Sequence, residues 1–590
     1  MAEILSRQYQ YQSVFSLPRP ATQILPQASR GSVPPIMDVL ISAESIKEAI
    51  KSIDSTSASG PDGITPQILK DYSDELVDPL SLLYRWSINT GSQLDNINLA
   101  YIAPVFKSGT KSEPANYRPV ALTNHITKIL ERLIKTTIVN HLIEHQLYNE
   151  SQHGFRPQRS TTTNLLEYYE SILLQLQFNR AVDSIYLDFS KAFDKCDHNI
   201  ILRKLSTLGI QGELHHWIEG FLRKRKQCVV VKGHKSSEVW ATSGVPQGSV
   251  IGPVLFLVLM YDISLGINEA ILSSFADDTK VWRGVSNLED EATLQNDLDA
   301  IYSWAMENNM VFNSDKFQAI RFHEATSIHL YRSTDGTHIK QQQIVKDLGL
   351  HISDDLSFDH HIEIVIKRGN QMAGWILRVF RGRSRNLLLP LLKRLIIPRV
   401  EYCSIIWSPR SRVLCSRIES VQKNFTSKID FGERRPDYWE RLSELKLYSL
   451  ERRRERYMVI YVWKVIHALY PNPGIGLNKE FMAQHRLHPN SGIGYISFND
   501  RLGYEVGHPT GNVPTLDRLS ILTRWCEIFN EIPHQLRRTL GDNEAPSLTK
   551  FKKALDSWLE QVPDQPTIPG RWRAAISNSI VHQRHYVQHQ

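Results

Sequence analysis

The sequence predicts an α+β protein in which strands and helices interleave through the middle of the chain and a basic helical stretch follows. Three observations carry this. Apolar runs of strand character, SIYLDF (184–189), QCVVVKG (227–233), ILSSFA (271–276) and TKVW (279–282), alternate with helical patterns, notably 291–309. Strand signals thin out after about residue 355. From Glu363 to Val400 nine Lys and Arg stand against one acid, although the whole chain carries a net charge of only +7.

Composition narrows the class. The 590 residues leave room for about three to five domains. A hydrophobic content of 41% with 22% charged residues is that of a globular chain, which excludes a disordered, collagen-like or coiled-coil rod protein. Cysteines at 196, 228, 403, 415 and 526 form no CxxC pair, excluding a Cys-rich zinc knuckle. Their odd number argues against a disulfide scaffold and for a reducing, intracellular compartment, nucleus or cytoplasm. The longest apolar stretch, VIGPVLFLVLMY (250–261), is shorter than the roughly 20 residues a span needs, so no membrane partner is expected. MAEILSRQYQ lacks the order of a signal peptide. Clustered positive charge suits a polyanion such as nucleic acid, although a solvated helix face gives the same pattern.

Taken in order, residues 1–40 hold five prolines and little periodicity and read as a flexible leader. A helix begins near Ser42, with Ile46, Ala49, Ile50 and Ile53 at helical spacing, and SASGPDG (57–63) breaks it. Thr123 or Asn124 can cap the next helix, whose stripe is Ile126, Ile129, Leu130, Leu133 and Ile138. The strands follow, then basic helices over 360–465. The last 120 residues read as irregular, with a short amphipathic helix near 548–560.

Two acidic constellations could do chemistry. In YLDFSKAFD (186–194), Asp188 ends an apolar strand. In FADD (275–278), two acids sit between strand-like runs, as at the tip of a hairpin. Adjacent carboxylates repel unless a cation neutralises them. Mg²⁺ takes oxygen ligands and often uses one or two protein carboxylates, so Asp188 and Asp277 on neighbouring strands could share two ions roughly 3.5–4 Å apart. Alone, ADD reads as an ordinary turn.

The surrounding motifs decide the context. They are ASGPDGI (58–64), YRPVALTNHITKILERLI (117–134), QHGFRP (152–157), LDFSKAFDKCDH (187–198), SGVPQGSVIGPVLF (243–256), FADD (275–278), NSDK (313–316) and KDLGLHI (346–352). In this order they resemble the reverse transcriptase of a non-LTR retrotransposon, a LINE-type element of the jockey and chicken-repeat kind. The resemblance implies a right-hand polymerase. Its fingers and palm would occupy 41–355, a helical basic thumb 356–470, and an extension without assigned chemistry 471–590.

The resemblance also assigns roles. Asp188, Asp277 and Asp278 would be the catalytic acids. Asp188, Asp277 and the backbone carbonyl of Phe189 would hold two Mg²⁺ ions, with Mn²⁺ as a possible substitute. Lys107 and Arg118, bracketing a fingers hairpin, would grip the triphosphate, and Arg156 would add a further cation. Phe193 would be the aromatic gate that excludes a ribose 2′-hydroxyl; Gln247 would pack near the nucleotide, and Lys316 would protonate pyrophosphate. Gly248, with Leu348 and Gly349 of a primer grip, would face the template–primer, as would Arg381 and Arg383 of the thumb. Asp194 and Asp197 are expected to be structural, and Trp375 a core residue. The implied partners are an RNA template, a DNA primer and dNTPs, with no oligomeric state indicated. The alternative is an inactive nucleic-acid-binding remnant. An RNA-templated RNA polymerase would show GDD, and an intron maturase YADD.

Other signals are set aside. HLIEH (141–145) fits a zinc-peptidase pattern but ends an amphipathic helix. His582, His585 and His589 have no core around them. TDGT (334–337) reads as a connecting turn, PGIG (473–476) and SGIG (491–494) lack GK[ST], and RKRK (223–226) is a nuclear signal, a nucleic-acid edge or a solvated turn. Full elements of this family carry an upstream endonuclease; with about 40 residues ahead of the fingers, none is expected here.

Overall fold

The computed structural model describes residues 1–13, 33–92, 99–177, 180–323, 330–467, 521–533, 536, 547–564 and 579–580. The turns at 473–476 and 491–494 and the three tail histidines lie outside the described residues.

The chain opens with α1 (Ala2–Ser13), α2 (Ala43–Lys51), α3 (Pro66–Asp71) and α4 (Ser73–Thr90). The first of these corrects the reading of 1–40 as a leader. Ala2, Leu5 and Tyr9 are buried against Ala100, Ile102, Ala121 and Val229, and Ile36 forms a parallel bridge with Ile210. Ser42 and Ser45 cap α2 reciprocally.

The fingers sheet joins β1 (Leu99–Phe106), β2 (Tyr117–Leu122), β4 (Lys226–Val231), β5 (His234–Lys235) and β6 (Val239–Trp240). Strands β1 and β2 form the expected hairpin, Phe106 opposite Tyr117, while β1 runs parallel to β4. Between them come α5 (His125–Glu144), α6 (Thr161–Gln177), β3 (Ala181–Leu187), α7 (His198–Thr207) and α8 (Gly212–Arg223). Asn124 does stand at the start of α5, but its side chain accepts from the Asp62 amide and not from the helix.

The palm sheet has the order β10–β9–β3–β8–β7, built from β3, β7 (Ile271–Phe275), β8 (Asp278–Val285), β9 (Gln318–Phe322) and β10 (Lys340–Gln341). Helices α9 (Gly252–Leu259) and α10 (Leu288–Glu307) complete this region. Alternation along the strands splits the core. Ile185, Leu187, Val281 and Ala319 face the fingers-side core. Val182, Trp282, Ile320 and Phe322 face the thumb side.

A separate hairpin, β11 (Ile344–Asp347) with β12 (Leu350–Ser353), leads into the thumb. The thumb comprises α11 (Asp359–Val379), α12 (Arg385–Leu391), α13 (Ile397–Glu401), α14 (Ser404–Trp407), α15 (Arg412–Thr426), α16 (Tyr438–Leu445) and α17 (Leu450–Ile466), with a π-helical turn at Leu392–Ile396. The described extension, α18 (Ile521–Asn530) and α19 (Leu548–Leu559), shares the thumb's core: Phe551 stacks on Trp463, and the Trp525 indole donates to the Ile405 carbonyl. Trp375, expected in the core, is 47% exposed.

Candidate active site

Strand β3 delivers Asp188 one residue past its end. The antiparallel register pairs Leu187 with Thr279, so the next step sets Asp188 across from Asp278; such partners have Cα atoms about 4.5–5.5 Å apart. On its other side the chain is pinned by hydrogen bonds from the Asn313 amide to the Asp188 carbonyl (2.8 Å) and from the Ser190 amide to the Val311 carbonyl (2.7 Å). These flank an isolated Phe189–Phe312 bridge. In this pairing the bonds belong to the flanking residues, and the Phe189 carbonyl points away from Phe312.

Asp277 lies in the two-residue turn between β7 and β8, where Phe275 pairs with Asp278. Ala276 takes a φ of 60°, unfavourable for a residue with a Cβ. The buried Gln152 holds it: its Oε1 accepts from the Ala276 amide (2.9 Å) and its Nε2 donates to the Ala276 carbonyl (3.3 Å). A Cβ on Gly154 would meet the Ala276 nitrogen at 2.4 Å, so only glycine fits there. The QHGF motif therefore supports the acidic turn.

The three acids feel one another. Burial raises the Asp277 carboxyl and Asp188 raises it further, while Arg118 and Lys107 oppose the shift. Burial, then Asp277, Asp188 and Asp347, push Asp278 up to about 6. Lys107 and Arg118 are exposed, and the fingers hairpin brings both within electrostatic reach of Asp277. Lys316, in the turn after the Asn313 contact, makes an ion pair with Asp188.

Phe193 sits in a 3₁₀ turn beside the acids. Its ring stacks on Phe256 (centroids 4.5 Å, 12° between planes) and meets Phe155 edge-on at 5.8 Å. The SGVPQG loop docks on this turn: the Val245 amide donates to the Phe193 carbonyl, and Gln247 Nε2 to Asp194 Oδ1, both at 2.8 Å. Asp194 is thus a half-buried partner of Gln247, and Asp197 caps α7, as expected of structural acids. Gly248, with φ 123°, presses on fingers backbone: a Cβ would meet the Ala121 carbonyl oxygen at 2.4 Å.

Leu348 and Gly349 form the β11–β12 turn, which touches Tyr402 of the thumb; the Tyr402 hydroxyl donates to the Leu348 carbonyl at 2.8 Å. Arg381 is exposed just beyond α11. Two expected nucleic-acid cations are otherwise engaged. Arg156 donates to the Asn149 carbonyl and Glu150, with its guanidinium over Tyr148. Arg383 donates to the carbonyls of Leu377 and Phe380 and closes the end of α11. Carbonyls at a helix end or in a loop need donors, and these guanidiniums supply them. In HLIEH the His141 Nε2 bonds the Leu208 carbonyl at 2.7 Å.

Residue-by-residue reading missed Gln152, the exposed Phe155 (49%) and the buried Lys280–Asp347 pair (2.5 Å). The left-handed Ala276 had no sequence signal, but the motif QHGFRP was the available pointer to Gln152. Among the described residues no three His, Cys, Asp or Glu side chains close into a cage. The donors still suit a hard divalent ion: the Asp277 and Asp278 carboxyls, raised by burial and by neighbouring acids, stand near Asp188, which already holds the Lys316 ammonium.

Residues 107–352 match the reverse transcriptase (RNA-dependent DNA polymerase) family. The RNA-directed DNA polymerase from mobile element jockey of Drosophila melanogaster is 28% identical over 401 residues, covering 66% of this chain and 44% of that protein. The probable RNA-directed DNA polymerase from transposon X-element of the same species is 26% identical over 396 residues, covering 65% and 43%. The chain spans under half the length of these curated relatives. A telomerase structure from Candida tropicalis superposes with a TM-score of 0.33 at 11% identity, over 52% of this chain and 62% of that one, and adds nothing to the topology above. The family match takes in the fingers cations, both aspartate motifs and the β11–β12 hairpin, so residues 107–352 are similar to a reverse transcriptase domain, and the relatives named are polymerases of mobile elements.

Proposed function

We propose that the chain is an RNA-directed DNA polymerase, joining dNTPs to the 3′-hydroxyl of a primer on an RNA template for a non-LTR element inside the cell. The observation that carries this is the convergence of Asp188, Asp277 and Asp278 at one edge of the palm, with Lys107 and Arg118 facing them from the fingers. Lys107 and Arg118 bind the triphosphate, where arginine's fork suits phosphate oxygens. Phe193, braced by Phe256, holds its ring against the sugar and excludes a 2′-hydroxyl. The primer 3′-hydroxyl loses its proton to solvent as its oxygen bonds to the α-phosphorus, the bond from the α-phosphorus to the bridging oxygen breaks, and pyrophosphate leaves, to which the Lys316 ammonium can give a proton. Asp188, Asp277 and the Phe189 carbonyl would hold two Mg²⁺ ions, or Mn²⁺ in their place, which when bound supply activation of the hydroxyl and neutralisation of phosphate charge. Positioning and charge supply most of the acceleration.

Primer extension on poly(rA)/oligo(dT) with Mg²⁺, comparing wild type with Asp277→Ala, tests this. Incorporation should fall about 10³-fold or more in the variant. Equal incorporation by both refutes the assignment. Tight duplex binding with no incorporation by either identifies an inactive remnant.

A further inference from the structure

Lys280 lies two residues beyond Asp278 on β8, opposite Tyr186 of β3 and on the thumb-side face of the sheet. Its ammonium is 2.5 Å from a carboxylate oxygen of Asp347, with side-chain exposures of 4% and 6%. The same ammonium sits 4.2 Å above the Tyr168 ring, and the Tyr186 hydroxyl donates to that of Tyr168 at 2.8 Å. Asp347 is the last residue of β11, immediately before the Leu348–Gly349 turn. The turn is thus held from two sides, by Lys280 of the palm and by Tyr402 of the thumb.

Besides the Tyr402 bond and a 3.3 Å bond from the His351 amide to His361 Nδ1, both on the thumb side, the hairpin is anchored by the apolar core residues Val345, Leu350 and Ile352, and Lys280 is its directional contact with the β8 strand. Apolar contacts are non-directional and tolerate sliding. A buried ion pair is a poor source of stability, since an apolar pair of similar size serves as well; its best-attested use is to fix a register.

We propose that the Lys280–Asp347 pair is a positioning device that registers the β11–β12 turn against the acidic turn, so that a primer end resting on Leu348–Gly349 meets Asp188 and Asp277. This rests on the polymerase reading. Neither residue touches substrate; both act through the hairpin.

The test compares Lys280→Met/Asp347→Leu, Asp347→Asn and wild type in primer extension, duplex binding and thermal unfolding. The apolar double variant should fold and bind template–primer with a Kd within about twofold of wild type. Its nucleotide KM should be unchanged and its kcat at least about tenfold lower, the cost of a misplaced hydroxyl. Asp347→Asn keeps the shape and the acceptor oxygen and should retain kcat within about threefold. A folded double variant with wild-type kcat overturns the proposal. If the double variant does not fold, Lys280→Arg decides: it keeps the charge but moves the donor, and wild-type kcat there is equally fatal. A wild type without incorporation brings down the polymerase reading and this inference together, an outcome distinct from active variants beside an active wild type.

Discussion

At the palm edge, acids gather with acids. Asp188, Asp277 and Asp278 share one corner; Lys316 pairs with Asp188, while Lys107 and Arg118 stand across on the fingers within reach of Asp277. In the thumb several charges are answered on contact by their own chain. Glu419 accepts from the Leu450 and Glu451 amides and from the Tyr438 hydroxyl, capping α17. Arg456 pairs with Asp556 at 2.5 Å, and Arg452 donates to the carbonyls of Val562 and Pro563. Like charges kept together cost stability, and such a cluster makes sense where a ligand brings the missing counter-charge. Charges satisfied by their own chain are scaffolding.

The largest expected effect probes the scaffolding side. Burial pushes the Glu419 carboxyl up to about 7 from an ordinary 4.5, against the pull of its hydrogen bonds. The unfolded chain releases this proton near pH 4.5 while the folded chain keeps it to about 7. Stability from this group is therefore full below pH 4.5 and lost as pH rises through 7, by about 3 kcal/mol. Urea unfolding at pH 5 and pH 8 should show that loss in wild type and its disappearance in Glu419→Gln. Equal pH slopes would mean that the cap satisfies the charge completely.

The next effect probes the chemical side. Phe193→Val removes the ring stacked on Phe256 beside the acids. The preference for dNTP over rNTP, as a ratio of kcat/KM, should fall about tenfold or more, with the fold intact. Unchanged discrimination in primer extension with rNTPs would make Phe193 a packing residue like Phe256.

The same contrast explains what the sequence disclosed. The acidic turn was legible because two acids between apolar strand runs admit few placements, and the register then brings Asp188 to them. The fingers hairpin and the Asp197 cap were legible for similar local reasons. The bonds that Arg156 and Arg383 make to carbonyls of their own chain were not legible, because linear order does not reveal which carbonyls a guanidinium meets. Lys280–Asp347 is a long-range pair, invisible until the sheet is built. Helix α1 was hidden by the prolines that follow, although Ala2, Leu5 and Tyr9 already have helical spacing. The extension read as irregular apart from a short amphipathic helix near 548–560, which is α19; that Trp525 and Phe551 pack into the thumb's core was not legible.

Trp375 offers the smallest and most discriminating test. On α11 the buried side is Ile362, Val365, Gly369, Ala373 and Ile376. Trp375 and Val379 are exposed, and Arg378 lies with them at i, i+3, i+4 spacing on one outward patch. Trp375 has about half of its surface covered, so Trp375→Ala should cost about 1–2 kcal/mol of unfolding free energy, less than a buried tryptophan would. Aromatic faces and cations together suit nucleic acid, and the same variant should weaken template–primer binding by about threefold to tenfold in a titration at fixed salt. A larger drop in stability with unchanged affinity would place Trp375 with the scaffolding. Unchanged affinity without that larger drop would reduce the positive stretch 363–400 to a solvated helix face, leaving duplex recognition to the palm and fingers.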